Sequence, residues 1–270
     1  LGGAFQAQNQ LDLAIAHYGQ AIALQPDYAD AHYNLALALQ ERDRLEEALH
    51  HCQRAIDLAP NNASAYYNRG FILRRLGQLP AAIASYRQAI GLRPTYVEAH
   101  KNLGHALLLS GDLIPGFAEY EWRWQQPGWV SRAFTQPQWD GSDLNGKTIL
   151  LHAEQGYGDT IQFIRYASLV KALGGPVIVE CQPALLELLQ TAPGIDRLIA
   201  QDAPLPEFDC HAPLLSLPHI LQTRLETIPA PIPYLRSSGP ALSPCNLPSS
   251  GFKVGIVWTG NPEHKNNHHR

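Results

Sequence analysis

Three prolines, Pro26, Pro60 and Pro94, are equally spaced along the chain, and each follows an apolar stretch with helical periodicity. Aligned on them, other positions fall into columns. Leu1, Leu35 and Leu103 share one, with Arg69 the exception, and Gly2, Ala36, Gly70 and Gly104 share the next. Ala14, Ala48 and Ala82 form a third, followed by Tyr18, Cys52 and Tyr86, then by Ala21, Ala55 and Ala89. Small residues let helices approach closely, and large ones fill the gaps between them. Pro80 falls at the start of a second helix, where a missing N–H costs little. A helix pair of this length cannot bury its apolar face alone, so the units must stack. The first unit starts in mid-pattern at Leu1. The fourth, from Val97, degrades after Gly111, with Gly116 where a small Ala is expected and Arg123 replacing the next Ala. An array that fades in this way is expected to end against another element.

The columns and their interval resemble the tetratricopeptide (TPR) signature. The resemblance implies an α-superhelix over residues 1–125 of about 3.5 helix-pair repeats, the first incomplete, that holds a protein or peptide. Asn34, Asn68 and Asn102 recur at the same interval as the prolines, on the helices that line the concave face in TPR proteins. A row of amides can donate to and accept from the backbone of an extended peptide. The O-linked N-acetylglucosamine transferase family grips polypeptides with a similar ladder. The alternative is that these amides bond locally within the array. Tyr33 and Tyr67 stand one residue earlier, either as aromatic walls of a peptide site or as packing residues.

Charge is balanced. Residues 1–125 and 126–270 each carry 10 basic and 12 acidic groups, which disfavours a nucleic-acid footprint. No apolar run approaches the roughly 20 residues needed to span a bilayer. Cys52, Cys181, Cys210 and Cys245 form no CxxC pair and read as buried free thiols in a reducing, cytoplasmic setting. The twelve histidines show no zinc spacing: His50-His51 and His268-His269 are adjacent residues that point apart on a helix. No metal and no cofactor is expected.

Four of the five tryptophans, Trp122, Trp124, Trp129 and Trp139, crowd into one short stretch that also holds Pro127 and Pro137. So much apolar surface predicts that this junction, continuing through residues 126–146, docks the array onto a second domain, the alternative being that the rings stack on a ligand. From Lys147 the period changes. Residues 148–153 and 177–181 read as buried strands, 160–173 and 184–191 as helices, and 197–200 and 209–212 as further strands. Strand, helix, strand, helix predicts a parallel sheet over residues 147–228, with ligands at the carboxyl edge. Residues 229–250, rich in Pro and Ser, read as a linker. Residues 251–270 open with a buried strand, Lys253–Trp258.

The glycine turn is not the dinucleotide fingerprint. Residues 152–166 (HAEQGYGDTIQFIRY), 214–218 (LLSLP) and 255–261 (GIVWTGN) instead resemble bacterial TPR proteins with a heptosyltransferase-like domain. The resemblance implies an α plus α/β chain: a TPR superhelix, then a Rossmann-like lobe that is the N-terminal half of a two-lobed (GT-B) glycosyltransferase, with the chain truncated at both ends. It implies transfer of a sugar to polypeptide or glycan acceptors, with the nucleotide-sugar held only once a second lobe is present. A non-catalytic scaffold with a vestigial lobe is the alternative. Asp159 matches the proposed base of the heptosyltransferases. It also reads as a helix N-cap, with Gln162 completing a capping box. Glu154 is a second candidate carboxylate, or a hydrogen-bonding partner of the turn. Gln155, Gly156, Tyr157 and Gly158 form the expected substrate-binding loop, in which the glycines permit a tight reversal or close approach of a ligand.

Overall fold

A computed structural model describes residues 1–128 and 132–236. Eight helices come first: α1 (Gly2–Ala7), α2 (Leu11–Leu24), α3 (Ala29–Glu41), α4 (Leu45–Leu58), α5 (Ala63–Arg75), α6 (Leu79–Leu92), α7 (Val97–Leu109) and α8 (Leu113–Tyr120). Each odd-numbered helix packs against the even one that follows and, after α1, the even one that precedes it. Pro26, Pro60 and Pro94 fall in the short loops between repeats. The Pro26 and Pro94 carbonyls accept from Nε2 of His32 and His100 at 3.1 and 2.9 Å. Asn62 caps α5, its side-chain oxygen accepting from the Ser64 and Ala65 N–H groups.

Packing within each repeat follows a fixed offset between its two helices. A Cβ on Gly2 would lie 2.7 Å from the Tyr18 ring, and one on Gly70 would lie 2.7 Å from the Tyr86 ring. At Gly104 a Cβ would meet the backbone N of Tyr120 at 2.9 Å. The same offset joins Ala36 to Cys52, and these two are buried in one cluster. Where the second helix carries a tyrosine the first carries glycine. Where it carries the smaller cysteine, a methyl group is accommodated. The two columns are therefore one complementary pair.

After a 3₁₀ turn at Glu121–Gln125 the chain enters a four-stranded parallel sheet in the order β3-β2-β1-β4. The strands are β1 (Ile149–His152), β2 (Val177–Cys181), β3 (Arg197–Ala200) and β4 (Cys210–Pro213). β1 pairs with β2 from Ile149↔Val177 and with β4 from Ile149↔Cys210. Alternation along β1 sends Ile149 and Leu151 to one core and Leu150 to another. The first core is covered by helical segments: α9 (Tyr157–Phe163), α10 (Ala167–Lys171), α11 (Leu186–Leu189) and α12 (Leu217–Ile220). The second is covered by irregular chain, with Phe134, Ala203, Leu205 and Phe208.

This asymmetry follows from right-handed crossovers. Stepping β1 to β2 to β3 in one direction keeps both connecting helices on one face. Returning past β1 to reach β4 sends the connection over the other face. The sequence predicts helices on both faces, but the returning segment, residues 201–209, contains Pro204 and Pro206 and forms no helix. The predicted helix 160–173 also differs. It starts at Tyr157 and is interrupted by a 3₁₀ turn, Ile164–Tyr166. Residues Leu1–Arg236 form one compact unit. The predicted strand 253–258 and most of the predicted linker lie outside the described residues.

The glycine–tyrosine complementarity is testable by urea denaturation. Gly70→Ala should cost about 1–3 kcal/mol because the Tyr86 ring must move. Combined with Tyr86→Cys, which copies the Ala36–Cys52 pair, the total cost should fall below the sum of the single costs by about 1 kcal/mol or more. Strict additivity would show that the two columns do not fit one another.

Candidate functional site

Arg123, which stands where the repeat pattern would place a small Ala, is 1% exposed. It ties the end of the array to the sheet. Its Nη1 donates to Glu121 Oε1 at 2.5 Å, and its Nη2 donates to Glu154 Oε1 at 2.8 Å and to Ser216 Oγ at 2.7 Å. The Ser216 hydroxyl donates in turn to Glu121 Oε2 at 2.9 Å. The guanidinium lies 5.0 Å from the Tyr120 ring centre and 4.5 Å from that of Trp124. Two carboxylates, a hydroxyl and two aromatic faces thus hold one cation away from water.

Of the junction tryptophans, Trp124 belongs to this cluster, its indole N–H donating to Glu121 Oε2 at 3.2 Å. Trp122 stacks on His100 of α7 at 3.7 Å, and Trp139 is buried in the first sheet core. Trp129 lies outside the described residues. Backbone bonds from Trp139 N to His211 O and from His211 N to Pro137 O lay the junction along the free edge of β4.

The loop after β1 places the predicted residues unevenly. Glu154 is sealed, with 5% of its side chain exposed, and burial pushes its pKa up while Arg123 opposes the shift. Its second oxygen, Oε2, has no hydrogen-bond partner. Gln155 exchanges bonds with the Tyr120 hydroxyl of α8 at 3.1 and 3.3 Å. Gly156, Tyr157 and Gly158 are exposed. Asp159 Oδ2 accepts from the Gly156 backbone N–H at 3.1 Å. Asp159 is therefore not the N-cap. Gly156 holds that position and Asp159 is N3, the arm of a capping box that reaches back, so Gln162 has no part in the cap. The shift arises because Tyr157 and Gly158 already take helical geometry, one turn earlier than the sequence pattern indicates.

Beside Glu154 a cleft of about 570 Å³ opens at the carboxyl ends of β1 and β4. This is the point where the strand order reverses, and ligands of open parallel sheets bind there. Its lining includes Arg132, Phe134, His152, Glu154, Gln201 and His211. Arg132 is held by Glu180, a fully buried carboxylate on β2, through both guanidinium nitrogens, one at 2.9 Å. His152 Nε2 faces His211 Nδ1 at 3.4 Å, and its Nδ1 is buried without a partner. Phe134 leans on both imidazoles, at 5.4 and 4.6 Å. Burial, followed by His211 and Arg132, pushes the His152 pKa down to about 3, so the cleft is lined by neutral rings at ordinary pH. Arg132, Phe134, His152 and His211 are not legible in the sequence as site residues. Only the placement of His152 at the end of a predicted strand points toward them.

On the array the predicted Asn and Tyr columns meet each other. Asn68 Nδ2 donates to the Tyr33 hydroxyl at 2.8 Å, and Asn102 Nδ2 donates to the Tyr67 hydroxyl at 3.2 Å and to Glu98 O at 2.9 Å. Each amide–phenol pair joins one repeat to the next. Asn68 and Asn102 are buried, while Asn34 is half-buried and borders a cavity with Tyr18, Tyr28 and Ala31. The amide nitrogens thus serve the array itself. Among the described residues, the side-chain oxygens of Asn68 and Asn102 accept no hydrogen bond, and they are not sealed from solvent. A line of contacts continues from Asn102 along α7 to His105, whose ring lies 5.3 Å from Tyr120, and from Tyr120 to Gln155.

A histidine pair appears that sequence spacing does not show. His32 Nδ1 and His51 Nδ1 are 3.0 Å apart. Because His32 Nε2 must donate to the Pro26 carbonyl, its Nδ1 accepts and His51 donates. Among the described residues no three His, Cys, Asp or Glu side chains gather to hold a metal ion, and no helix is long and apolar enough to cross a membrane. Cys52, Cys181 and Cys210 are free and buried, and burial pushes the first two thiols up to about 12 and 11. Cys245 lies outside the described residues.

The TPR repeat family model matches residues 2–43 and 72–111, and tetratricopeptide repeat models match residues 29–62 and 51–84. The array consists of tetratricopeptide repeats. No curated protein matches the chain in sequence. Among solved structures, a crystal structure of MamA is 26% identical with a TM-score of 0.45, covering 46% of this chain and 73% of that one. YrrB, described as a TPR protein with an unusual peptide-binding site, is 23% identical with a TM-score of 0.43, covering 47% of this chain and 65% of that one. The first TPR of Spaghetti (RPAP3), bound to the HSP90 peptide SRMEEVD, is 25% identical with a TM-score of 0.40, covering 40% of this chain and 86% of that one.

Three expectations come from this geometry. Arg123→Met should cost about 3–5 kcal/mol in chemical denaturation, because Glu154 loses its cation while buried. Adding Glu154→Gln should recover part of that loss, and a cost below about 1 kcal/mol for the single change would mean that the TPR array and the sheet do not depend on the cluster. Asn68→Ala and Asn102→Ala should each lower stability by about 1 kcal/mol through the lost inter-repeat bond, in contrast to the stability-neutral change expected of a ladder devoted to a ligand. The third concerns pH. His51 and His105 are pushed down to about 4 and His152 to about 3, with burial the largest cause in each. All three bind protons more readily unfolded, where imidazole titrates near 6.5. Their contribution is complete above pH 6.5 and is lost as pH falls from there toward 4. The urea midpoint should drop across that window, with a shallower slope in His105→Gln; an unchanged slope in that variant would contradict the assignment.

Proposed function

We propose that this chain is a TPR protein-binding scaffold fused to a glycosyltransferase-like lobe, and that it belongs to a protein that transfers sugar to polypeptide or glycan acceptors. In this reading an extended polypeptide lies on the face where α3, α5 and α7 run side by side, its backbone N–H groups donating to the free amide oxygens of Asn68 and Asn102. The observations that carry the reading are four contacts spaced along one line, Tyr33–Asn68 and Tyr67–Asn102 on α3, α5 and α7, then His105–Tyr120 and Tyr120–Gln155. A polypeptide following that line arrives at the 154–159 loop and the sheet-edge cleft. There Asp159 or Glu154 would take the proton of an acceptor hydroxyl, Asp159 being the more accessible because Glu154 is sealed on Arg123. The nucleotide-sugar would be held by a second lobe, as in two-lobed glycosyltransferases.

A non-catalytic scaffold is favoured by one observation: both carboxylates already have structural partners, Asp159 in the Gly156 cap and Glu154 on Arg123. The two readings part in the longer protein. Either Asp159→Asn or Glu154→Gln should abolish sugar transfer to a bound peptide, followed by mass spectrometry, with little change in melting temperature for Asp159→Asn. Full activity in both variants would overturn the catalytic assignment. For the present chain, calorimetric titration with a panel of nucleotide-sugars should show no saturable binding. Tight binding of any one would mean that the first lobe carries a donor site of its own.

A further inference from the structure

One column of the array is broken from inside. Leu35 and Leu103 are buried, but the same position in the repeat between them is Arg69. The buried core of the array divides at this helix: α5 gives Ile72 to the cluster that holds Leu35, and Leu73 to the one that holds Leu103. Exchanging a core leucine for a cation forfeits apolar burial, and the repeat pattern does not require it. The guanidinium is nevertheless held in place from two sides. Its Nη1 donates to Gln53 Oε1 at 2.8 Å, and Gln53 is turned that way because its Nε2 donates to Asp57 at 2.8 Å. Its Nε donates to Ser85 Oγ at 3.0 Å, and the buried Ser85 hydroxyl donates its own proton to Ala81 O at 2.8 Å. The Tyr66 ring centre lies 5.2 Å away. Both acceptors are neutral, and Nη2 has no partner among the described residues and is not sealed from solvent. Among the ion pairs of the described residues none includes Arg69. Gln53 stands on α4 and Ser85 on α6, so Arg69 reaches between second helices, whereas Asn68 reaches Tyr33 on a first helix. Around the guanidinium a cleft of about 560 Å³ opens between α4 and α6. Leu49, Leu73, Ala81 and Ala84 give it an apolar lining, and Glu46 is exposed at its rim.

We infer that the α4/α6 cleft is a second docking site of the array, on the side of the second helices, and that it takes a polypeptide segment carrying one Asp or Glu among aliphatic side chains. The acidic group supplies the charge that Arg69 lacks, through the open Nη2 and the outer hydrogen of Nη1. The aliphatic groups cover Leu49, Leu73 and the two alanines, whose small side chains leave the room. The Asp57–Gln53 and Ala81–Ser85 relays hold the guanidinium in one orientation before the partner arrives, which lowers the entropy lost on binding. A nucleic acid fits less well, because Glu46 at the rim and the net charge of −4 repel a polyanion while a single carboxylate needs only Arg69. The site stands apart from the Tyr/Asn groove and from sugar transfer, and it gives the array two separate surfaces for partners.

The test pans a displayed library of random dodecapeptides against the purified 270-residue chain, with soluble Arg69→Leu protein as competitor to remove peptides that bind elsewhere. The expected survivors carry Asp or Glu beside aliphatic residues. Each should lose about tenfold or more in affinity for Arg69→Leu, and as much when its acidic residue is changed to the amide. Each should keep its affinity for Asn102→Ala, which alters the other face. A library that yields no peptide able to tell the two proteins apart, survivors without acidic residues, or loss of binding in Asn102→Ala overturns the site and leaves the Tyr/Asn groove untouched. Stability is a second readout. Leucine at position 69 restores the column, so Arg69→Leu should unfold at a urea midpoint equal to or above that of the unaltered chain. A lower midpoint, or failure to fold, makes Arg69 a structural residue of the Gln53 and Ser85 contacts and overturns the site as well.

Discussion

Everything beyond α8 depends on one desolvated cation. Arg123 is almost wholly buried, and burying an arginine is unfavourable unless its hydrogen bonds and charge are met. Here the charge and both terminal nitrogens are met from three directions, Glu121 at the end of the array, Glu154 after β1 and Ser216 after β4, while Nε alone is left without a partner. The last two residues lie far apart in sequence, and they come together only when β1 and β4 pair side by side. The cluster therefore reports on correct assembly of the sheet as much as on its attachment to the array. It also fixes the position of Glu154, and with it one wall of the cleft.

The array uses a different logic. Its helices contain few side-chain caps, its ion pairs such as Arg42–Asp12 and Arg75–Asp43 lie at the surface, and its interior is held by repeated local complementarity. Glycine against tyrosine keys each helix pair internally, and asparagine against tyrosine joins successive pairs. Both devices have the period of the sequence, and in the second each repeat supplies half of its neighbour's contact. One exception is informative: Ala36 with Cys52 is a smaller version of the same key.

The array is legible in the sequence because its constraints are periodic: the columns that mark the repeats are the residues that pack. Strands β1 and β2 are legible for a related reason, since short apolar runs bounded by asparagine, glycine and proline have few other uses. What escapes is contact between distant residues. Arg123 registers in the sequence only as a failure of the repeat pattern, and two of its partners, Glu154 and Ser216, belong to a different part of the fold. The cleft draws on the junction, β1, β4 and the irregular return to β4, so no local pattern announces it. The cap at Asp159 is misread by one helical turn because Gly156-Tyr157-Gly158 reads as a loop, whereas backbone geometry and the Asp159 carboxylate recruit it into the helix.

The glycine–tyrosine key has a consequence for how such an array can lengthen or shorten. Its two halves lie closer together than half the repeat period, and they belong to the two helices of one repeat. A duplication or deletion of one full period whose break falls in the loop between repeats, near Pro26, Pro60 or Pro94, carries each key with its lock. A break between the paired helices mates the first helix of one repeat with the second helix of another, and sets Ala36 against Tyr86 where only a glycine leaves room for the ring. The proline loops are thus the natural recombination points of this array, and repeats can be exchanged as whole units but not as single helices.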